Sequence, residues 1–173
     1  MQEMSPKAIE LALTAIEDQV PSRAEIQTVL TAYASYVGLQ SLKLDERGIA
    51  ECIVDDELPL TFLHLPHLPG IIVAAPLPGD ATRDDALLRG LLRANLSWSN
   101  TQGGSFALLP PLREPMLCRL IPLVKIDAAT LDRELASFVD LVRAWHVEIE
   151  LYLDHLPDPP PDPPDRPAPM LRV

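Results

Sequence analysis

Two helices are predicted at the start of the chain, because apolar residues there recur at intervals of three and four. The first covers residues 5–19 and stops at Pro21. The second starts at Ser22, which forms a capping-box pair with Glu25, and ends at Gly38. In a capping box, each side chain satisfies a backbone N–H that the helix itself leaves unbonded.

Two further helices follow later in the chain. A leucine-rich segment predicts a helix over 83–96, with Thr82 and Asp85 as a second capping pair. The closing helix carries the longest stripe of apolar residues: Leu131, Leu135, Phe138, Val142, Trp145, Ile149, Tyr152 and Leu156. An isolated coiled coil would show the same periodicity, but a single helix packed across a sheet is the more economical interpretation.

Five apolar runs bounded by turn residues predict strands at 49–54, 58–65, 70–77, 105–109 and 116–123. Within 58–65 the side chains alternate, which is typical of a sheet with one face on a core. We assign Leu60, Phe62 and His64 to the core face. Residues 70–75 are apolar on both faces, so that strand is predicted to be central or covered on both sides.

The order of elements predicts an α+β fold, α-β-β-β-α-β-β-α, with an antiparallel sheet and an extra N-terminal helix. We divide the chain into the extra helix (1–21), an α+β domain (22–156) and a tail (157–173). Prolines interleaved with aspartates fill the tail and exclude helix or central strand. We expect it to be extended or disordered, and either solvated without a partner or a proline-rich docking segment.

The charge of the 173-residue chain excludes some partners. A formal net charge of −11 disfavours nucleic acid and anionic membrane surfaces, which both require basic residues. The chain has neither a signal-peptide pattern nor an apolar run long enough to span a bilayer, so we expect a cytoplasmic protein without membrane insertion. Cys52 and Cys118 lie in apolar strands and are interpreted as buried structural thiols. A disulfide between them is the alternative that the sequence allows.

Catalytic and cofactor motifs are absent from the sequence, which has no nucleophile elbow, phosphate loop, dinucleotide fingerprint or zinc-ligand motif. Gly103 precedes a strand rather than a helix, which favours a loop over a phosphate cradle. His64 and His67 lack a third ligand at diagnostic spacing, and Asp55–Glu57 is interpreted as a solvated turn. We therefore expect no enzyme activity, no cofactor and no metal.

Leucines cover more of the helix at 83–96 than one core contact requires. Either both sides are buried within the monomer, or the second side meets another chain, and we favour the subunit contact. The predicted dimer face consists of Leu87, Leu88, Leu91, Leu92 and Leu96. On the sheet face opposite the core lie four apolar residues that would mark a binding surface unless the first helices cover them: Ile53, Leu63, Leu65 and Ile72.

The order of elements from 22 to about 150 resembles the secretion chaperones of bacterial type III systems, in the Tir-chaperone group. The segments that carry the resemblance are Leu44-Asp45-Glu46-Arg47-Gly48, Ile72–Leu77, Leu87–Leu96, Gly103-Gly104, Arg119–Leu123 and Asp127–Trp145.

The resemblance implies a cytoplasmic homodimer joined through the helix at 83–96. Such chaperones hold the N-terminal region of a secreted effector in an extended, non-globular form and hand it to the export apparatus. The four residues of the outer sheet face would then contribute effector pockets. A secretion ATPase is a further candidate partner. The alternative is a regulatory or structural module of the same fold that binds a folded protein.

Overall fold

The computed structural model describes residues 20–79, 84–96, 98–108, 114–123 and 126–155. Four helices and five strands occur in these ranges. They are α1 (Arg23–Val37), β1 (Ile49–Val54), β2 (Leu58–His64), β3 (Gly70–Pro76), α2 (Asp85–Leu96), α3 (Trp98–Thr101), β4 (Ser105–Leu108), β5 (Pro115–Pro122) and α4 (Ala128–Asp154).

The strands form one antiparallel sheet in the order β1-β2-β3-β5-β4, which confirms the predicted central position of β3. β1 and β4 are its edges. A tight turn joins β1 to β2: Asp55 and Asp56 have φ angles of 52° and 59°, and the Glu57 N–H donates to the Val54 carbonyl over 3.1 Å. Positive φ at both central residues matches the right-handed twist of a hairpin.

The core lies between one face of the sheet and the helices α1 and α4. Leu60 and Phe62 point into it from β2, as predicted, and are 1% and 0% exposed. Leu30 of α1 and Phe138 of α4 are fully buried in the same cluster. Close packing against a single sheet face therefore accounts for the apolar stripe of the closing helix.

The ends of α1 are formed as the sequence predicts. The Ser22 and Glu25 side chains make the reciprocal capping box, and Gly38 ends the helix with a φ of 77°. The following connection is held by the Gln27 side chain, which donates to the Leu42 carbonyl (3.0 Å) and accepts from the Leu44 N–H (2.9 Å). The Arg23 guanidinium also donates to the carbonyls of Leu44, Asp45 and Glu46, so two side chains of α1 fix the chain that leads into β1.

The predicted α+β class and element order are confirmed. The cap of α2 differs from the prediction, since Oδ1 of Asp84 accepts the N–H groups of Ala86 and Leu87, each at 2.9 Å. The short helix α3 was not predicted. Thr82, the predicted helix at 5–19, Leu156 and the tail at 157–173 lie outside the described residues, and the division into domains stays a prediction.

A buried arginine on the inner face of β5 was also not predicted. Arg119 is 8% exposed, and its guanidinium donates to the Glu134 carbonyl and lies 5.4 Å from the centre of the Phe138 ring. An ion pair with the Glu134 carboxylate, at 3.8 Å, adds to these contacts. Arg119 therefore links the central part of the sheet to α4 by charge as well as by packing.

Candidate functional site

The outer face of the sheet carries the residues predicted for partner binding and is mostly apolar, with Glu51 and Thr61 as a polar cross-strand pair. Ile53 is 62% exposed, while Leu63 and Ile72 are partly buried. Leu63 and Ile72 are direct cross-strand partners, and Ile72 in turn pairs with Leu120, which is 38% exposed. Leu65, also partly buried, follows the end of β2. The structure thus brings three of the four predicted residues onto one sheet face and places Leu65 just beyond it.

β1 offers an open edge beside this face. The His64 N–H donates to the Gly48 carbonyl over 2.8 Å, so this pair is a hydrogen-bonded one. In an antiparallel ladder, bonded and non-bonded pairs alternate. The backbone groups of Glu51 and Ile53 consequently point away from β2. Those of Ile49 also point outward, but they bond to Asp45.

The opposite edge is closed by a side chain of α2. Oδ1 of Asn95 accepts the Phe106 N–H over 2.7 Å, and Nδ2 of Asn95 donates to the Phe106 carbonyl over 3.2 Å. The amide therefore occupies the same two backbone groups that an added strand would use. Phe106 also packs edge-on against Trp145, with ring centroids 4.7 Å apart.

The leucines of α2 divide between the core and the surface. Leu87 and Leu91 are 6% and 3% exposed and belong to the core of the monomer. Leu92 and Leu96 are 57% and 89% exposed, and Leu88 is partly buried. Leu88, Leu91 and Leu92 also line an apolar cleft of about 120 Å³ between α2 and the edge strand β4. The leucines of α2 therefore lie on two faces of the helix, one in the core of the monomer and one accessible at its surface.

Asp84 sets the position of α2 relative to α4. Besides capping α2, its Oδ1 accepts a hydrogen bond from the Tyr152 hydroxyl over 3.2 Å. The helix start is thus tied to the C-terminal part of α4. This bond joins residues 68 positions apart, and no local sequence pattern predicts it.

Burial shifts the pKa values of the His64, Cys52 and Cys118 side chains in the sheet. Desolvation, with a smaller effect of the Arg23 charge, lowers the pKa of His64, which favours the neutral imidazole. Cys52 and Cys118 are free thiols whose pKa values burial raises. In the described ranges, no three His, Cys, Asp or Glu side chains come together as a metal site. None of the described helices has the length and apolar character needed to cross a membrane.

A family model, the Tir chaperone protein (CesT) family, matches residues 28–146, which is more than half of the chain. The transcriptional anti-antiactivator ExsC of Pseudomonas aeruginosa is 28% identical over 75 residues, which make up 43% of this chain and 52% of ExsC. The chain thus spans about half the length of this curated relative.

Three solved structures share the fold. The ExsC–ExsE complex matches with a TM-score of 0.62 and 22% identity over 72% of this chain and 92% of the other. The HopA1–SchA chaperone–effector complex matches with a TM-score of 0.59 and 21% identity over 73% and 98%. The Yersinia pestis type III secretion chaperone SycH, in complex with a fragment of YscM2, matches with a TM-score of 0.53 and 18% identity over 69% and 98%.

Proposed function

Because the chain belongs to the Tir chaperone protein family, we propose that it is a type III secretion chaperone in the cytoplasm. It binds the N-terminal region of one or more secreted effectors, keeps that region non-globular and delivers it to the export apparatus. The observation that carries this proposal is the apolar outer sheet face beside the open edge of β1.

The edge of β1 supports binding of an extended segment by strand addition. The outward backbone groups of Glu51 and Ile53 can pair with a partner strand, and main-chain hydrogen bonds of this kind give affinity with little sequence dependence. The closure of β4 by Asn95 directs such pairing to β1. An effector region held in this way remains extended, as export requires.

The outer face supplies side-chain contacts for the same segment. Alternate residues of a strand added to β1 would lie beside Ile53 on the outer face. A segment that continues from there across the sheet would reach Leu63 of β2 and Ile72 of β3, with Leu65 at the end of β2. Ordering an extended chain costs conformational entropy, which apolar burial must offset. Reversible contacts of this kind need no covalent chemistry and no cofactor.

The second side of α2 supports assembly into a homodimer. Leu88, Leu92 and Leu96 form the accessible part of the predicted face, while Leu87 and Leu91 hold the helix on its own monomer. A symmetric contact between two copies of α2 would cover the exposed leucines and the cleft beside β4. Two copies would also present two effector-binding faces.

A second candidate function is regulation through a folded protein partner. It is favoured by one observation, the similarity over 75 residues to ExsC, whose name is transcriptional anti-antiactivator. The two candidates differ in the state of the ligand. A chaperone protects an otherwise protease-sensitive N-terminal segment, whereas a regulator of this kind binds a globular domain.

The test is a tagged pull-down from the native cell, followed by limited proteolysis and mass spectrometry of the partner. We expect a larger protein that is protected only within its N-terminal region. Ile53→Asp should lose this partner, because it places a charge on the outer face. Tyr36→Asp is the matched control, since Tyr36 is 58% exposed but lies on α1.

Other outcomes contradict the proposal. A partner that resists protease along its whole length would favour the regulatory function. Absence of any partner, or equal capture by Ile53→Asp and the unchanged protein, would overturn the outer face as the binding site.

A further inference from the structure

Two adjoining clefts lie between the β1–β2 hairpin and α4. The first has a volume of about 220 Å³ and the second about 330 Å³, and Arg143 lines both. We call them together the hairpin–helix groove. Its charged residues are Asp55, Glu57, Asp132, Asp140, Arg143 and Glu150. The groove lies on the α4 side of the sheet, apart from the outer face.

The floor of the first cleft is apolar. Leu60, Leu135 and Val139 line it and are 1%, 2% and 6% exposed. Tyr33 lines it too and is 9% exposed, and no described residue hydrogen-bonds its hydroxyl. Burial, with the Asp132 charge, raises the pKa of Tyr33 to about 12, so the hydroxyl stays protonated and available. A ligand here would meet apolar surface and one polar group, the Tyr33 hydroxyl.

The rim of the groove is strongly acidic. Five carboxylates face one guanidinium, and Arg143 already pairs with Asp55. Among the described residues, the other four carboxylates form no ion pair. The negative electrostatic potential of these carboxylates repels a second copy of this chain, whose net charge is −11, and attracts a cationic segment.

We propose that the hairpin–helix groove binds a segment of the partner in which lysine or arginine residues alternate with apolar ones. The long aliphatic stems would lie on the apolar floor while the cationic heads reach the rim carboxylates. This inference rests on the proposed function and deepens it by naming the chemistry of the bound segment. The partner would then contact both the outer face and the groove.

The test uses defined peptides rather than the natural partner. Fluorescence anisotropy at low salt compares a labelled peptide of alternating leucine and lysine with one of alternating leucine and glutamine. We expect the lysine peptide to bind more tightly. The double variant Asp132→Asn and Asp140→Asn should weaken it by about three- to tenfold, as expected for the loss of two partly exposed ion pairs.

The control pair is Glu148→Gln and Asp154→Asn, which changes net charge equally on the same helix but outside both clefts. It should change the affinity less than twofold. Arg143→Gln should tighten binding, because it releases Asp55, whereas Arg133→Gln should not. Since misfolding weakens binding, a gain at Arg143 separates the proposal from a folding defect.

Equal binding of the two peptides would overturn the proposal. So would equal weakening by the groove pair and the control pair, which would indicate a general charge effect. These outcomes leave the proposed function standing if Ile53→Asp still loses the native partner. Conversely, if Ile53→Asp still captures the native partner while the groove binds the lysine peptide selectively, only the outer face is refuted as a binding site.

Discussion

Two exposed leucines on α2 allow the proposed homodimer to be tested directly. We consider the double substitution Leu92→Asp and Leu96→Asp. The two side chains lie one helical turn apart and are 57% and 89% exposed in the monomer. Their replacement therefore leaves the core of the monomer intact while removing the apolar part of the predicted face.

The expected effect follows from the exposed fractions. Complete burial of a leucine side chain contributes about 1.5–3 kcal/mol. Scaled to the exposed fractions, Leu92 and Leu96 contribute about 2–4 kcal/mol from each subunit, hence about 4–8 kcal/mol to the dimer. Loss of this free energy weakens association by a factor of at least about a thousand. Four new carboxylates facing each other across the symmetry axis weaken it further.

Light scattering coupled to size exclusion is the assay, over a range of protein concentrations. The unchanged protein should have about twice the chain mass of 19.0 kDa, and the variant should have the mass of one chain. Val147→Asp with Leu151→Asp is the matched control, since these residues are also four apart on a helix and are 55% and 52% exposed. A dimer that survives the α2 substitutions would refute this interface. Dissociation of the control to the same extent would show that added charge alone causes the effect.

Three further predictions concern stability. Phe138→Ala leaves a cavity in the core and should lower the free energy of unfolding by about 3–5 kcal/mol in urea titrations; a loss below about 1 kcal/mol would contradict its assigned position. Asn95→Ala removes both bonds to the Phe106 backbone and should cost about 1–3 kcal/mol, whereas an unchanged midpoint would show that water replaces the amide. The folded pKa of His64 lies below its ordinary value of 6.5, so the unfolded chain binds the proton more strongly. The contribution of neutral His64 to the free energy of unfolding should be fully present above about pH 6.5, and it should be lost as the pH drops through the folded pKa. In thermal melts, the melting temperature of His64→Gln should fall less on acidification than that of the unchanged protein. The melting temperature of His155→Gln should fall as much as that of the unchanged protein.

Much of the fold could be predicted because its signals are local. The capping box at Ser22, the stop at Gly38 and the periodicity of α4 depend on residues within a few positions of each other. Alternation in β2 assigned Leu60 and Phe62 to the core, because a strand exposes successive side chains on opposite faces. The element order then indicates the family.

The sequence by itself therefore determined the elements other than the short helix α3, their order, and the faces that β2 and α4 present to the core. Only the tertiary structure decided which leucines of α2 remain accessible, that Asn95 closes β4 and that Arg143 meets Asp55, 88 positions away. The physical reason is that these contacts depend on the angle and distance at which whole elements pack. Local periodicity specifies a face, but not which surface of another element comes to lie against it.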